Sequence, residues 1–169
     1  MNALLAVALF CVCVFLGNGK AGALRARKQT LMAMDADIRR LAERMELRPA
    51  PIAALLVQFE PHTKAFWEIF SRKLGGEAPV AELWRAALAE AAEAHNGFEL
   101  LSAEETAILA EFGQGLGGIG LTAQRANAAL ACKRLSERIV ALDAEIAKKG
   151  KLYESLGVLS GLALALLVI

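Results

Sequence analysis

Few of the side chains from which active sites and metal centres are built occur in this chain: of 169 residues, three are cysteine, two histidine and one tyrosine. Cys11 and Cys13 lie inside an apolar run, where a helix points them to different sides. Cys132 is far away in an amphipathic stretch. Neither a disulfide framework nor a zinc spacing emerges, so the thiols read as small apolar side chains in a reducing compartment or in lipid. His62 and His95 each lack a cysteine or second histidine at ligand spacing, which argues against a metal site. No nucleophile stands beside a general base, and the carboxylates, Glu104, Glu105 and Glu111 among them, suit cap and solvent-face positions. Neither catalysis nor a cofactor is expected.

Two further absences narrow the fold and the partners. No stretch alternates apolar and polar residues as a half-buried strand would, which predicts an all-α protein. The net charge is only +1, and Lys and Arg are interspersed with Asp and Glu, so no basic face for nucleic acid is expected. Gly115-Leu-Gly-Gly-Ile-Gly120 fits G-x-G-x-x-G, but a dinucleotide fingerprint needs a preceding strand, and here a helix precedes it. With no Gly-Lys-Ser/Thr either, the segment reads as a flexible turn between helices.

What the chain has in abundance is apolar residues, 56% of the total against 22% charged, with a mean hydropathy of +0.43. A near-normal charged fraction at that hydropathy implies segregation into blocks, and the blocks are the two ends. Asn2 to Gly19 carries no charge and is continuously apolar from Ala3 to Leu16; Lys20, Arg25, Arg27 and Lys28 follow it. A secretory signal would place its cations first. Ala21-Gly22-Ala23 keeps a cleaved signal open as an alternative to an uncleaved anchor. At the other end Ser155 to Ile169 is uncharged, roughly 22 Å of helix against a hydrocarbon core of about 30 Å. Leu152 and Tyr153 lengthen it, and Lys148, Lys149 and Lys151 can snorkel to headgroups; a buried C-terminal core helix is the alternative. The basic flanks place the middle of the chain on the cytoplasmic side from both directions. The expected organisation is an N-terminal transmembrane anchor (1–19), a cytoplasmic helical domain (20–151) and a C-terminal anchor (152–169) that ends within its own apolar segment, leaving nothing to fold beyond the membrane.

Between the ends the periodicity is helical throughout. Leu24, Leu31, Ile38 and Met45, with Met34 and Leu41, form a heptad stripe, and Arg39, Arg40, Glu43 and Arg44 take the other side. Pro49 and Pro51 break the helix. A short helix over Ile52 to Phe59, one over Thr63 to Leu74 closed by Gly75-Gly76, and one from Pro79 to a stop near Asn96-Gly97 follow. Ser102-Ala-Glu-Glu105 has capping-box spacing and opens Ala103 to Phe112. After the glycines of 113–120, a last stripe runs through Leu121, Ala128, Cys132, Leu135, Ile139, Leu142 and Ile146. The two long helices at either end of the domain are expected to pair antiparallel, with the short helices as a distal head. Trp67 and Trp84, at helical spacing among Phe and Leu, read as core, with interface hot spots as the alternative.

Several segments together resemble one family: Met45-Glu-Leu-Arg-Pro-Ala-Pro51-Ile-Ala-Ala-Leu, Leu109-Ala-Glu-Phe-Gly113, Leu116-Gly117, Gln124, and above all Lys151-Leu-Tyr-Glu-Ser-Leu-Gly-Val-Leu-Ser-Gly-Leu. They are similar to stage III sporulation protein AB of endospore-forming bacteria, with Pro51, Gly113, Leu116, Gly117, Gln124, Lys151, Tyr153, Leu156 and Gly157 as the matching positions. The sequence departs from the family pattern at Gly118-Ile-Gly-Leu-Thr, where a polar, acidic segment is usual. The resemblance implies a non-enzymatic membrane component of the channel joining mother cell to forespore, whose helical domain is similar to that of the type II secretion platform protein. It implies as partners a cytoplasmic secretion-type ATPase of the same operon and the channel's other membrane subunits. The alternatives from other classes are a membrane-anchored sensor holding a small ligand near Trp67 and Trp84, and a membrane-bound enzyme.

Overall fold

The computed structural model describes residues 2–47, 50–117, 120–150, 152, 155–156, 158–160 and 162–163, with side chains in the N-terminal run at positions 7, 11–13 and 15. Helices α1 (Asn2–Leu47), α2 (Ile52–Leu55), α3 (Lys64–Lys73), α4 (Val80–Glu93), α5 (Ala103–Gln114) and α6 (Leu121–Glu145) follow in order; a 3-10 turn, Phe98–Leu100, precedes α5 and a π turn, Ile146–Gly150, follows α6. Among the described residues there is no strand, and the protein is all-α. The chain divides into two compact units, Met1–Lys28 with Val140–Ile169, and Gln29–Ile139.

In the unit Gln29–Ile139, the heptad stripe of α1 is its buried face: Leu31, Met34, Ile38, Leu41 and Met45 are all in the core. Ala128, Ala131, Cys132 and Leu135 form the buried face of α6. The pair runs antiparallel. Glu46, at the end of α1, meets Arg125, at the start of α6, at 2.7 Å; further back along α1, Arg39 reaches Ser136 and the carbonyl of Asp35 takes the Cys132 thiol.

The rest of this unit is an aromatic core. Phe66 and Phe70 of α3, Trp84 of α4, Phe98 and Phe112 are all buried. Phe66, Phe70 and Phe112 present their edges or faces to the Trp84 ring at centroid distances of 4.8, 5.0 and 5.3 Å. Edge-to-face contacts of this kind add about 0.5–1.5 kcal/mol each beyond simple burial. Pro79 precedes α4 as its N-cap, and the stop after α4 is made by His95 and Gly97, both with positive φ. Ser102 and Glu105 form the reciprocal capping box that the sequence suggests.

Three local expectations are corrected. The second helix ends at Leu55 rather than Phe59, because Arg44 collects the carbonyls of the next turn and Gln58 adopts φ 60°. Helix α5 continues to Gln114, so Gly113 is helical and buried rather than the first residue of a loop. Leu121 begins α6 but is exposed, and Ile139 and Ile146 are only half-buried.

In the unit Met1–Lys28 with Val140–Ile169, Ala21 and Leu142 are buried and Lys28 pairs with Asp143. Lys20, Arg25 and Lys148 are exposed, and Lys149 pairs with Glu145 at 2.8 Å. Among the described residues no helix is long and apolar enough to cross a membrane. The flanking transmembrane helices of the sequence reading fall in large part on side chains outside the described residues. Where side chains are described they are open: Val7, Val12 and Phe15 at one end, Leu152, Leu156, Leu159 and Leu162 at the other.

Candidate functional site

Asp37 sits on the buried stripe of α1, between Met34 and Leu41, and is 0% exposed. A lone carboxylate there would be costly, yet five donors converge on it. Its Oδ1 accepts from the His62 amide at 2.7 Å and lies 3.0 Å from His62 Nδ1. Its Oδ2 accepts from the Thr63 amide at 2.9 Å, the Thr63 hydroxyl at 2.6 Å and the Trp67 indole at 3.0 Å. An ionised carboxylate only accepts, so His62 must carry its proton on Nδ1. Burial pushes the Asp37 carboxyl up, but the Thr63 hydroxyl, the two amides and the imidazole outweigh it and hold it below the usual 3.8. Thr63 is the N-cap of α3 and makes no side-chain cap itself. The negative charge that the free amides at a helix N-terminus favour comes instead from α1.

Two arginines, one and two turns beyond Asp37 on α1, continue this attachment. Arg44 donates to the carbonyls of Leu55 at 2.9 Å, Val57 at 3.1 Å and Gln58 at 2.6 Å, and its guanidinium lies 5.3 Å from the Phe59 centroid. Arg40 donates to the Glu60 carbonyl at 2.9 Å. Residues that the sequence places on the side away from the heptad stripe therefore clamp the segment from Leu55 to Glu60 onto α1.

On the α6 side, Arg138 bonds Glu104 at 3.1 Å and approaches the buried Glu105 of the capping box at 3.8 Å. Arg134 pairs with Glu111. Burial pushes the Cys132 thiol up to about 12, with the Asp35 charge adding to it. It stays a neutral core side chain rather than a nucleophile.

The positions singled out by the resemblance separate into groups. Gly113, Leu116 and Gly117 come together at the end of α5. A Cβ on Gly113 would stand 2.0 Å from the Trp84 ring, whose indole N–H donates to the Leu109 carbonyl at 2.8 Å. Leu116 is buried, and Gly117 has φ +82°, a left-handed helix end that glycine makes without strain. Asn127 of α6 donates to the Phe112 carbonyl at 2.8 Å across Gly115. Gln124 is half-buried on α6. Pro51 caps α2 elsewhere in the same unit, its carbonyl taking the Ala54 and Leu55 amides. Leu156 is exposed. Lys151, Tyr153, Gly157 and the departure at positions 118 and 119 lie outside the described residues.

Trp67 and Trp84 are 3% and 0% exposed, and both indole donors are used. A groove of about 510 Å³ passes beside Trp67 between Phe59, Pro61 and Lys64, but Trp84 is not part of it. The sensor reading thus has no free indole donor to offer a ligand. Among the described residues no group of His, Cys, Asp and Glu could hold a metal ion.

The site is built to join helices, and the comparison with known families agrees with the segments that suggested one. The family model of stage III sporulation protein AB (spore_III_AB) matches residues 2–169. The chain belongs to the stage III sporulation protein AB family. It is therefore a sporulation protein. No curated protein and no solved structure matches it.

Asp37 is the residue that sequence reasoning missed. Its signal was an acidic side chain set beside Ile38 inside a stripe that is otherwise Leu, Met and Ile. A charge at such a position is tolerated only with partners supplied from elsewhere in the chain.

Proposed function

We propose that this chain is a non-enzymatic, two-anchor membrane component of the transenvelope channel linking mother cell and forespore. In this role its helical domain serves as a platform subunit for a cytoplasmic secretion-type ATPase of the same operon and for the channel's other membrane subunits. The observation that carries the reading is the pairing of α1 with α6. Each long helix leads to a terminal segment whose described apolar side chains are open, Phe15 at 78% and Leu159 at 63%, and each terminal segment is flanked by exposed lysine on its inner side, Lys20 and Lys148. A domain fastened this way at both ends transmits force by contact, and Asp37, Arg44 and Arg138 supply the attachments that force would load. The domain faces the mother-cell cytoplasm, and both termini cross the membrane.

Topology is tested with cysteines introduced one at a time at Asn2, Glu77 and an added C-terminal residue, in a variant lacking Cys11 and Cys13 and keeping only the buried Cys132. A membrane-impermeant maleimide should label the two ends from outside the cell and Glu77→Cys only after permeabilisation. Labelling of Glu77→Cys in intact cells would refute the arrangement. For the partner, the chain reconstituted with the channel's membrane subunits should retain the ATPase on affinity purification, and charge reversal on the domain should weaken the retention. Failure to associate even in the full reconstitution removes the platform role.

A further inference from the structure

In the unit Met1–Lys28 with Val140–Ile169, the pair Lys28–Asp143 fixes the level of one helix against the other. From that pair α1 runs back toward the start of the chain, and α6 with its π turn runs on toward the end. Lys20 lies eight residues along the first and Lys148 five along the second. At 1.5 Å per residue that is about 12 and about 8 Å, a difference that a lysine side chain spans. Both lysines are exposed, and among the described residues neither takes part in an ion pair. Further on, Phe15 and Leu156 each stand thirteen residues from the pair, 78% and 51% exposed. On both helices a cation is thus followed by an open apolar side chain, the order in which a bilayer offers headgroups and then hydrocarbon.

Charge is divided unevenly between the two units as well. This one holds seven of the nineteen Lys and Arg residues but only three of the eighteen Asp and Glu, a net +4, which leaves −3 on Gln29–Ile139. A zwitterionic headgroup carries its own cation beside its phosphate and gains little from a lysine. An anionic phospholipid brings a negative charge with no such neighbour, and cations held at a membrane surface attract it. We propose that the band marked by Lys20 and Lys148 is a binding surface for anionic phospholipid headgroups. The chain then gathers acidic lipid around itself instead of sampling the bilayer at random. The depth of the band in the membrane rests on the two-anchor reading; its charge and exposure do not.

The full chain, reconstituted in phosphatidylcholine vesicles with a trace of spin-labelled phosphatidylcholine or phosphatidylglycerol, tests this through the fraction of each label that the protein immobilises. Both labels should be immobilised, phosphatidylglycerol with about fivefold preference at low salt, the equivalent of one engaged cation. The preference should approach parity in 1 M sodium chloride. Lys20→Gln with Lys148→Gln should lower it at least twofold, whereas Lys64→Gln with Lys133→Gln, which removes the same charge from exposed positions in the other unit, should leave it unchanged. Exchanging chloride for inorganic phosphate at constant ionic strength should also leave it unchanged. Equal immobilisation of the two labels overturns the proposal, as does a preference indifferent to the Lys20 and Lys148 changes or equally reduced by the control pair. Loss of the preference in phosphate identifies a soluble-anion site and overturns it too. Failure of the two-anchor reading has a different signature, no immobilised phosphatidylcholine: phosphatidylglycerol still held would then leave the lipid surface standing without the anchors, and neither label held would overturn both.

Discussion

The aromatic core of α3, α4 and α5 and the paired helices α1 and α6 are held by different physics. In the core, every indole donor is bonded, rings meet edge to face, and the one carboxylate delivered from α1 is fully enclosed. Along α1 and α6 the outer contacts are exposed ion pairs, such as Arg125 with Glu46, over a buried stripe. Enclosed polar groups are costly to disturb because water cannot replace a lost partner. Exposed pairs contribute little, since water and salt already screen them. The core should thus be intolerant of change, and the outer surface of the pair open to contacts with other chains.

Removing the carboxylate should break this contrast most severely. Asp37→Ala leaves buried donors from His62, Thr63 and Trp67 without an acceptor, and should destabilise the full chain by about 3–5 kcal/mol in a urea titration. The acid limb should change with it. Because the folded carboxyl titrates below 3.8, its stabilisation is whole above that pH and is lost as the pH falls through the folded value. Asp37→Asn should be less stable at pH 7 and should flatten that part of the pH profile.

Gly113→Ala sets two effects against each other. Helix propensity alone would favour alanine by about 1 kcal/mol. The new Cβ would strike the Trp84 ring at 2.0 Å, and overpacking of a core costs about 1–3 kcal/mol, occasionally more. With so short an approach the clash should win, giving a net loss of about 2 kcal/mol, read as a lower urea midpoint. Gly120→Ala, with nothing within 4 Å of its Cβ, should be near neutral. At the small end, Arg125→Ala should change stability by less than about 0.5 kcal/mol, and by less again at high salt. A loss above 2 kcal/mol would erase the distinction between core and pair.

What could be read from the sequence was what short-range chemistry decides. The α1 stripe, the Ser102–Glu105 box, the start at Pro79 and the core role of Trp67 and Trp84 each follow from residues within a turn or two of one another, and all are present. What could not be read depended on partners distant in the chain. Asp37 is satisfied by residues 25 to 30 positions away. Helix α2 stops early because of a guanidinium 11 to 14 positions before it. Gly113 looked like the start of a glycine loop because nothing nearby announces the Trp84 ring, 29 positions earlier in sequence, that needs its missing side chain. The family segments were legible where they are local motifs, and the joining chemistry of Asp37 and Arg44 was not, since neither has a sequence signature.

The grip of Arg44 on three successive carbonyls also sets where the chain can change length. A guanidinium has a fixed span, so an added residue between Leu55 and Glu60 would carry at least one of those acceptors out of reach and strand it against Phe59. The connection at 75–78, exposed throughout, has no such fastening. Insertions in natural relatives or engineered tags should be accepted there and rejected between α2 and α3, even though both segments are short loops.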